Sequence, residues 1–292
     1  MKTKGIMAVM MLVLLAAPAW VGAQDWQGVV ENRQNGQVNW STGIIQATGI
    51  GAPPEQYMGK PQARPMALRA AKLDAYRNLL EVSQGVRVNS TTLVKNYVVE
   101  NDVIMTRVEG LVKGAQMADT EYMSDGTVEV TLRMSLNGDF AQVILPRDIQ
   151  DIEPVQPTPQ PGETWQPEAP AETPAAPEDA VYTGLVVDAK GLNAKPAMAP
   201  KILDEEGKEV YGSAFVSREY AIQQGMSGYA KQVAAAEANS RVTDNPLTVK
   251  GVKTVGPGKC DIVISNADAS MLRSASENLS FLKKCRVMMV VD

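Results

Sequence analysis

The sequence predicts an α+β fold in two small domains, each a helix-covered sheet, joined by a proline-rich disordered linker. In segments such as 127–134, apolar and polar residues alternate, which is typical of half-buried strands. Segment 63–81 is rich in strong helix formers, and segment 153–177 holds eight of the eighteen prolines. These patterns favour a mostly antiparallel first sheet and a mixed second one.

Residues 1–23 are predicted to be a cleavable signal peptide. Lys2 and Lys4 precede an apolar run over 6–17, and Val21-Gly22-Ala23 supplies small residues at the cleavage site. A membrane anchor is the alternative, but this run is shorter than the roughly 20 residues that span a bilayer. We expect a periplasmic protein that begins near Gln24 and carries no N-terminal lipid, because no cysteine stands at the cleavage site. Any outer-membrane association would then be peripheral.

The composition argues against several kinds of catalytic site. The chain has no histidine, which removes the commonest general base and transition-metal ligand. It contains no nucleophile elbow, phosphate loop or dinucleotide fingerprint. The acidic run Asp204-Glu205-Glu206 is read as a solvated hairpin turn, with calcium binding as the weaker alternative. We therefore expect a non-enzymatic protein with no catalytic residue, no cofactor and no metal site.

Residues 151–180 are predicted to be a linker between the domains. They contain seven carboxylates and no lysine or arginine. Such a segment has too little apolar surface to offset the entropy of ordering it. Proline and charge repulsion favour an extended chain, which would let the second domain reach another component. Trp165 is the one aromatic residue there, and a contact with a partner is a weaker interpretation than a plain spacer.

The first domain is predicted to cover residues 24–150. One strand is expected within 36–51, ended by Gly49, Gly51 and two prolines, and a helix over 63–81. The expected core face of this helix consists of Met66, Ala70, Leu73 and Leu80. Arg77 falls on the same stripe, where it either extends its charge to the surface or pairs with Asp74 or Glu81.

A hairpin is expected at the end of this domain. Segment 127–134 alternates without error, and Asp125-Gly126 before it is a strong tight-turn signal. Its partner strand is predicted at about 111–123. A short strand over 86–88 and a short helix over 93–99 are expected between the long helix and the hairpin.

The second domain is predicted to cover residues 181–292. Strands are expected at 181–189, 201–203, 209–211, 247–255, 260–264 and 285–291. Helices are expected at 217–224, 227–239 and 268–282. Gly251 interrupts the alternation of its strand, which indicates a bulge. The last two strands are continuously apolar and flank a helix, which favours a parallel pair with a right-handed crossover.

The two cysteines begin these last two strands. Equivalent positions on adjacent parallel strands lie about 4.8 Å apart, within disulfide range. Export to an oxidising compartment also favours a bond. We expect a Cys260–Cys285 disulfide, and two buried thiols are the alternative. A catalytic dithiol is disfavoured because the close Cys-x-x-Cys spacing is missing.

The first domain resembles a known family between about Gly43 and Leu136. The resemblance rests on alanine spacing and glycines: Ala63, Ala67, Leu68, Ala70, Ala71, Ala75, Gly85, Val88, Thr92 and Gly110. This pattern resembles the LPP ("LPP-twenty" type) outer-membrane lipoprotein family, and is similar to the FlgT N-terminal domain and to FlgP. The resemblance implies a small envelope module that self-assembles around the flagellar motor or sits on the outer membrane. It brings no catalytic residues, and the chain lacks the lipidated cysteine of that family.

Three functions remain open from the sequence. The leading one is a non-enzymatic envelope structural or assembly protein that contacts itself, as a homo-oligomer, and other envelope proteins. The alternative is a periplasmic module that binds a small ligand or peptidoglycan. A hydrolase with an unfamiliar motif is the third, and would need a serine or aspartate with a base in reach, in a cleft. Neither domain is basic enough to favour nucleic acid.

Overall fold

The computed structural model describes residues 28–149, 182–274 and 276–292. The predicted signal peptide at 1–23 and the predicted linker at 151–180 lie outside the described residues.

The first domain is a five-stranded antiparallel sheet with helices. The sheet order is β1-β2-β3-β5-β4. The strands are β1 (Val30–Arg33), β2 (Gly36–Asn39), β3 (Ile44–Gly51), β4 (Gln116–Tyr122) and β5 (Val128–Ser135). The helices are α1 (Ala63–Gln84), α2 (Val94–Glu100), α3 (Asp102–Lys113) and α4 (Asp139–Ile144), with one 3₁₀ turn at Glu55–Tyr57.

Helix α1 lies unusually close to β3 because small residues meet on both sides. Ala67, Ala71 and Ala75 form its buried stripe. A Cβ built on Gly49 would lie 2.0 Å from the backbone nitrogen of Ala75, and one on Gly51 would lie 2.3 Å from the Ala67 carbonyl oxygen. Neither strand position can carry a side chain while the helix stays in place.

This close packing corrects the predicted core face of α1. Met66, Ala70 and Leu73 lie on the exposed side of the helix, with Leu73 62% exposed. Leu80 is the one predicted member that packs partly against the core. The same geometry explains Arg77, which lies on the solvent side and forms a 3.6 Å ion pair with Asp74.

The hairpin prediction is confirmed and its neighbours are corrected. Strands β4 and β5 pair antiparallel across a turn in which Asp125 Oδ1 accepts from the Thr127 N–H at 2.9 Å. The partner strand begins five residues later than predicted, since α3 occupies the chain up to Lys113. The strand expected within 36–51 is two strands, β2 and β3, joined by a turn in which Gly43 has a φ of +67°.

The second domain is a seven-stranded mixed sheet in the order β8-β7-β11-β10-β6-β12-β9. Its strands are β6 (Gly184–Asp188), β7 (Ile202–Leu203), β8 (Glu209–Tyr211), β9 (Gly228–Ala230), β10 (Pro246–Val255), β11 (Asp261–Ile264) and β12 (Val287–Val290). Its helices are α5 (Arg218–Gln224), α6 (Val233–Glu237), α7 (Asn266–Ser274) and α8 (Ser276–Lys283). The α+β class and the mixed sheet agree with the prediction.

The last two strands are not the parallel pair that was expected. Strands β10 and β6 separate β11 from β12. Strand β11 runs antiparallel to β10, whereas β10, β6, β12 and β9 run parallel to one another. The prediction of one helix over 227–239 is also wrong, because this segment forms strand β9 and then the short helix α6. The bulge near Gly251 is confirmed by a register shift between Gly251 and Lys253.

The two domains pack against each other, which differs from two units held apart. Most of their buried apolar residues form one continuous cluster that spans both domains, and a smaller cluster lies within the second domain. The Met198 and Ala199 N–H groups donate to the carbonyls of Arg87 and Val88 at 3.0 and 2.7 Å. Arg87 also donates from Nε to the Pro196 carbonyl at 2.8 Å. The expectation that the second domain reaches a separate component is therefore not what this arrangement favours.

Among the described residues, the structure has no helix with both the length and the apolar character needed to cross a bilayer.

Candidate functional site

A pocket lies between the two domains, and we call it the interdomain pocket. Its volume is about 250 Å³. The first domain contributes the β2–β3 turn at Trp40–Gly43 and the segment from Leu136 to Leu145, and the second contributes the segment from Ala221 to Tyr229 with Asn239 and Arg241. Pockets at domain boundaries with a few converging polar groups are the usual sites of ligand binding.

Tyr229 and Trp40 form the aromatic wall of the interdomain pocket. Their rings meet edge to face, with centroids 5.8 Å apart at 71°. The Tyr229 hydroxyl donates to the Ala197 carbonyl at 2.7 Å and accepts from the Ala197 N–H at 2.9 Å. Ser41 Oγ donates to the Tyr229 carbonyl at 2.7 Å and accepts from the Val29 N–H. This wall is therefore held by both domains.

Arg241 supplies the positive charge of the pocket. Its guanidinium donates to the carbonyls of Gly225 at 3.1 Å, Cys285 at 2.9 Å and Gln224. These acceptors are neutral, and within the described ranges no carboxylate forms an ion pair with Arg241. Burial lowers the pKa of Arg241, but an arginine side chain stays protonated at neutral pH.

The titratable neighbours of Arg241 are neutral at physiological pH. Burial raises the pKa of the Cys285 thiol to about 11. Burial also raises the pKa of Tyr211 well above its ordinary value, and the Tyr211 hydroxyl donates to the Met226 carbonyl. The charge on Arg241 is therefore not compensated by a thiolate or phenolate.

Two further polar side chains line the pocket. Ser227 Oγ is buried and makes no protein hydrogen bond of normal geometry. The Tyr229 hydroxyl lies near it and is bonded to Ala197 through its O–H and one acceptor position. The Asn137 amide lies between two glycines, since a Cβ on Gly43 would meet its nitrogen at 3.2 Å and a Cβ on Gly225 its oxygen at 3.1 Å.

A serine and an aspartate do lie within hydrogen-bond reach elsewhere, as the hydrolase hypothesis requires. Ser90 Oγ donates to Asp261 Oδ2. Neither residue lines a described pocket, and Gly256 and Gly258 pack against Ser90. The Gly258 N–H also donates to the Ser90 carbonyl at 2.7 Å. The geometry fits a clasp between the domains better than a nucleophile.

The expected Cys260–Cys285 disulfide is contradicted by the structure. Both cysteines are free and buried. The expectation required adjacent parallel strands, whereas β11 and β12 are antiparallel with two strands between them. Three strand spacings amount to roughly 14 Å, well outside disulfide range. The alternative of two buried thiols is the one observed.

The acidic run at Asp204 forms a turn. Asp204 Oδ1 accepts from the N–H groups of Glu206 at 3.1 Å and Lys208 at 2.7 Å, and Oδ2 pairs with Arg273 at 2.9 Å. The carboxylate is thus used within the hairpin. In the part of the chain that the structure describes, no group of acidic or cysteine side chains is arranged to hold a metal ion.

Sequence reasoning singled out neither Arg241 nor Ser227 nor Trp40. Each lies on a different local segment, and only the packing of the two domains brings them together. A weak signal existed in the glycines around Ser227, since a Cβ on Gly228 would lie 3.0 Å from Arg241 Nε. Glycines at 225 and 228 mark a place where the backbone and other groups come close.

One comparison with known proteins bears on the second domain. The family model described as the second domain of Treponema pallidum Tp0624 matches residues 184–292. The matched range runs from β6 to the end of the sequence, so the similarity concerns the second domain. No curated protein is significantly similar to the chain. The resemblance of the first domain to the LPP-twenty type family stays a prediction.

Proposed function

We propose that this protein is a non-enzymatic, periplasmic ligand-binding module whose site is the interdomain pocket. The observation that carries the proposal is the presence, in one pocket, of Arg241, whose charge no carboxylate of the described residues pairs with, and Ser227 Oγ, which makes no protein hydrogen bond of normal geometry. Buried polar groups without partners are costly, so their concentration in a pocket favours an external partner. The periplasmic location rests on the leader pattern of residues 1–23.

A mouth-blocking variant tests this proposal. Thr42 is exposed on the turn that lines the pocket, so Thr42→Trp adds bulk there without disturbing the core. Thr91→Trp, on an exposed loop outside the pocket, is the matched control. Ligand-observed NMR against amino acids, short peptides, monosaccharides and soluble peptidoglycan fragments should give binders of the native protein and of Thr91→Trp that Thr42→Trp loses. Binders that survive Thr42→Trp, or no binder at all, would contradict the proposal.

Envelope assembly through self-association is the second candidate. Strand β4 is the edge of the first sheet, and its residues are exposed on both faces. Met117, Tyr122 and the adjacent Met123 are 47%, 51% and 41% exposed. Open edges with exposed apolar side chains favour pairing with another chain. Asp119 and Glu121 on the same strand would repel a second copy of β4, so the partner strand in this interpretation is a different edge.

The mass of the protein in solution tests the assembly role. Because the domains share one core, the whole chain should be used rather than a truncation. A discrete oligomer that Met117→Lys converts to monomer would support assembly through β4, with the exposed Met58→Lys as the control. A monomer at all concentrations, or an oligomer indifferent to Met117→Lys, would remove β4 from consideration.

A further inference from the structure

We infer that the interdomain pocket takes a ligand that carries a carboxylate group and a short apolar body, with the carboxylate bound by Arg241 and Ser227. This inference rests on the proposed function, and it adds the chemical class of the ligand. It is carried by the geometry of three polar side chains and by the apolar wall that faces them.

Arg241 has more N–H donors than its protein partners use. A guanidinium has five N–H donors in a planar fork. Three bonds to the carbonyls of Gly225, Cys285 and Gln224 fix its position. Two donors remain, together with a full positive charge. A carboxylate suits such a fork better than a neutral group, because charge-assisted bonds are about twice as strong as neutral ones.

Ser227 and Asn137 add polar side chains to the same pocket. The Ser227 hydroxyl is buried and lacks a protein partner of normal geometry, and Ser227 lines the pocket, so rotation about its Cα–Cβ bond would let the hydroxyl donate to an oxygen bound there. The Asn137 amide lies between Gly43 and Gly225 at the pocket wall, with its nitrogen on the Gly43 side and its oxygen on the Gly225 side. A hydroxyl donor beside a guanidinium, with a further amide at the pocket wall, forms a suitable environment for one anionic group.

The size and lining of the pocket limit the ligand to a small, largely apolar body. Leu145, Met198 and Met288 line it together with the Trp40 ring, and all four are buried. A volume of about 250 Å³ lies just below the usual range for drug-sized ligands. The pocket is therefore suited to a free acid about the size of one apolar amino acid, or to the C-terminal residue of a peptide.

Matched acids and amides test the inference on the full chain. The probes are N-acetyl-leucine, its primary amide, and a tripeptide ending in leucine with a free or an amidated C-terminus. Isothermal titration should show each acid binding at least about tenfold more tightly than its amide. Binding of the tripeptide acid but not N-acetyl-leucine would assign a peptide end, and the reverse order a free acid.

Two variants and a control connect the effect to the proposed side chains. Ser227→Ala and Arg241→Gln should each weaken acid binding by at least about tenfold and leave amide binding nearly unchanged. Arg77→Gln, which removes an exposed cation elsewhere, should have no effect. Native Arg241 bonds to three carbonyls, so its loss can prevent folding. If Arg241→Gln does not fold, Ser227→Ala alone still tests the inference.

The outcomes separate the two proposals. Amides that bind as well as acids, and are lost in Thr42→Trp, would overturn the carboxylate assignment and leave the pocket as a binding site. If neither acids nor amides bind while other compounds do, the carboxylate inference is overturned alone. If nothing binds the native protein, both proposals are overturned.

Discussion

Ser90 in the first domain donates a hydrogen bond to Asp261 in the second, and this carboxylate is only 7% exposed. Among the described residues, Asp261 also accepts from the Lys201 N–H, at 3.1 Å. A buried carboxylate with two donors depends heavily on each of them. The pair therefore joins the stability of the fold to the contact between the domains.

Loss of the Ser90 hydroxyl should destabilise the protein. Ser90→Ala leaves Asp261 with the Lys201 N–H as its remaining donor, so we expect the free energy of unfolding to fall by about 1–3 kcal/mol. Denaturant titration measures the change. Thr91→Ala, on the same loop but exposed, should cost less than about 1 kcal/mol. Equal losses in the two variants would contradict a special role for Ser90.

The pH dependence of stability should carry a contribution from Asp261. Burial raises the pKa of Asp261 above its ordinary 3.8, although the Ser90 and Lys201 hydrogen bonds oppose this. The folded state thus binds the proton more tightly than the unfolded state. This contribution to stability is present at low pH and is lost as the pH rises from about 3.8 through the raised pKa.

Asp261→Asn isolates that contribution. The variant cannot ionise; its one side-chain oxygen can accept from the Lys201 N–H while its NH2 group donates to Ser90 Oγ. Its stability relative to the native protein should therefore increase from pH 4 to pH 7. Denaturant titrations across that range provide the comparison. Parallel stability curves for the two proteins would show that Asp261 titrates alike in the folded and unfolded states.

The two thiols should be unreactive in the folded protein. Burial raises the pKa of Cys260 to about 12 and that of Cys285 to about 11. Thiolate is the reactive form, so at pH 8 both should react with a thiol reagent far more slowly than a free cysteine. Protein purified without reductant should show two reactive thiols once it is unfolded. Fewer than two would indicate a disulfide and contradict the sheet order of the second domain.

Gly49 should be intolerant of any side chain. A Cβ there would overlap the α1 backbone, so Gly49→Ala should cost more than about 3 kcal/mol or prevent folding. Gly110, an exposed position in α3 with open space around it, is the matched control. Gly110→Ala should stabilise the protein by up to about 1 kcal/mol through helix propensity. Thermal unfolding of both variants tests the pair, and a mild effect at Gly49 would mean that α1 lies farther from β3.

Local sequence patterns predicted where helices and strands form better than they predicted which face of each is buried. The alternation of 127–134 identified β5, because a strand with one buried face must place apolar residues at every second position. For α1, side-chain size was a misleading guide to the buried face, because the large Met66 and Leu73 lie on the exposed side and a stripe of alanines is buried. The glycines at 49 and 51, on one face of β3, were the signal that a helix backbone had to fit there.

Pairing between distant segments could not be predicted in the same way. The apolar strands β11 and β12 flank a helix, which favours a crossover between neighbours, but β10 and β6 lie between them. The interdomain pocket has the same origin. Arg241 and Ser41 reach one pocket only because the β2–β3 turn of one domain packs against β9 of the other, as the Ser41–Tyr229 bond shows.

The shared core has a consequence for chain connectivity. Ile149, the last described residue of the first domain, is buried in the same apolar cluster against which Tyr182, the first of the second, packs. The covalent link between the domains therefore raises the effective concentration of each domain near the other, which favours contact between two surfaces that already fit. We therefore expect residues 28–149 and 182–292, produced as separate polypeptides, to associate through this shared core.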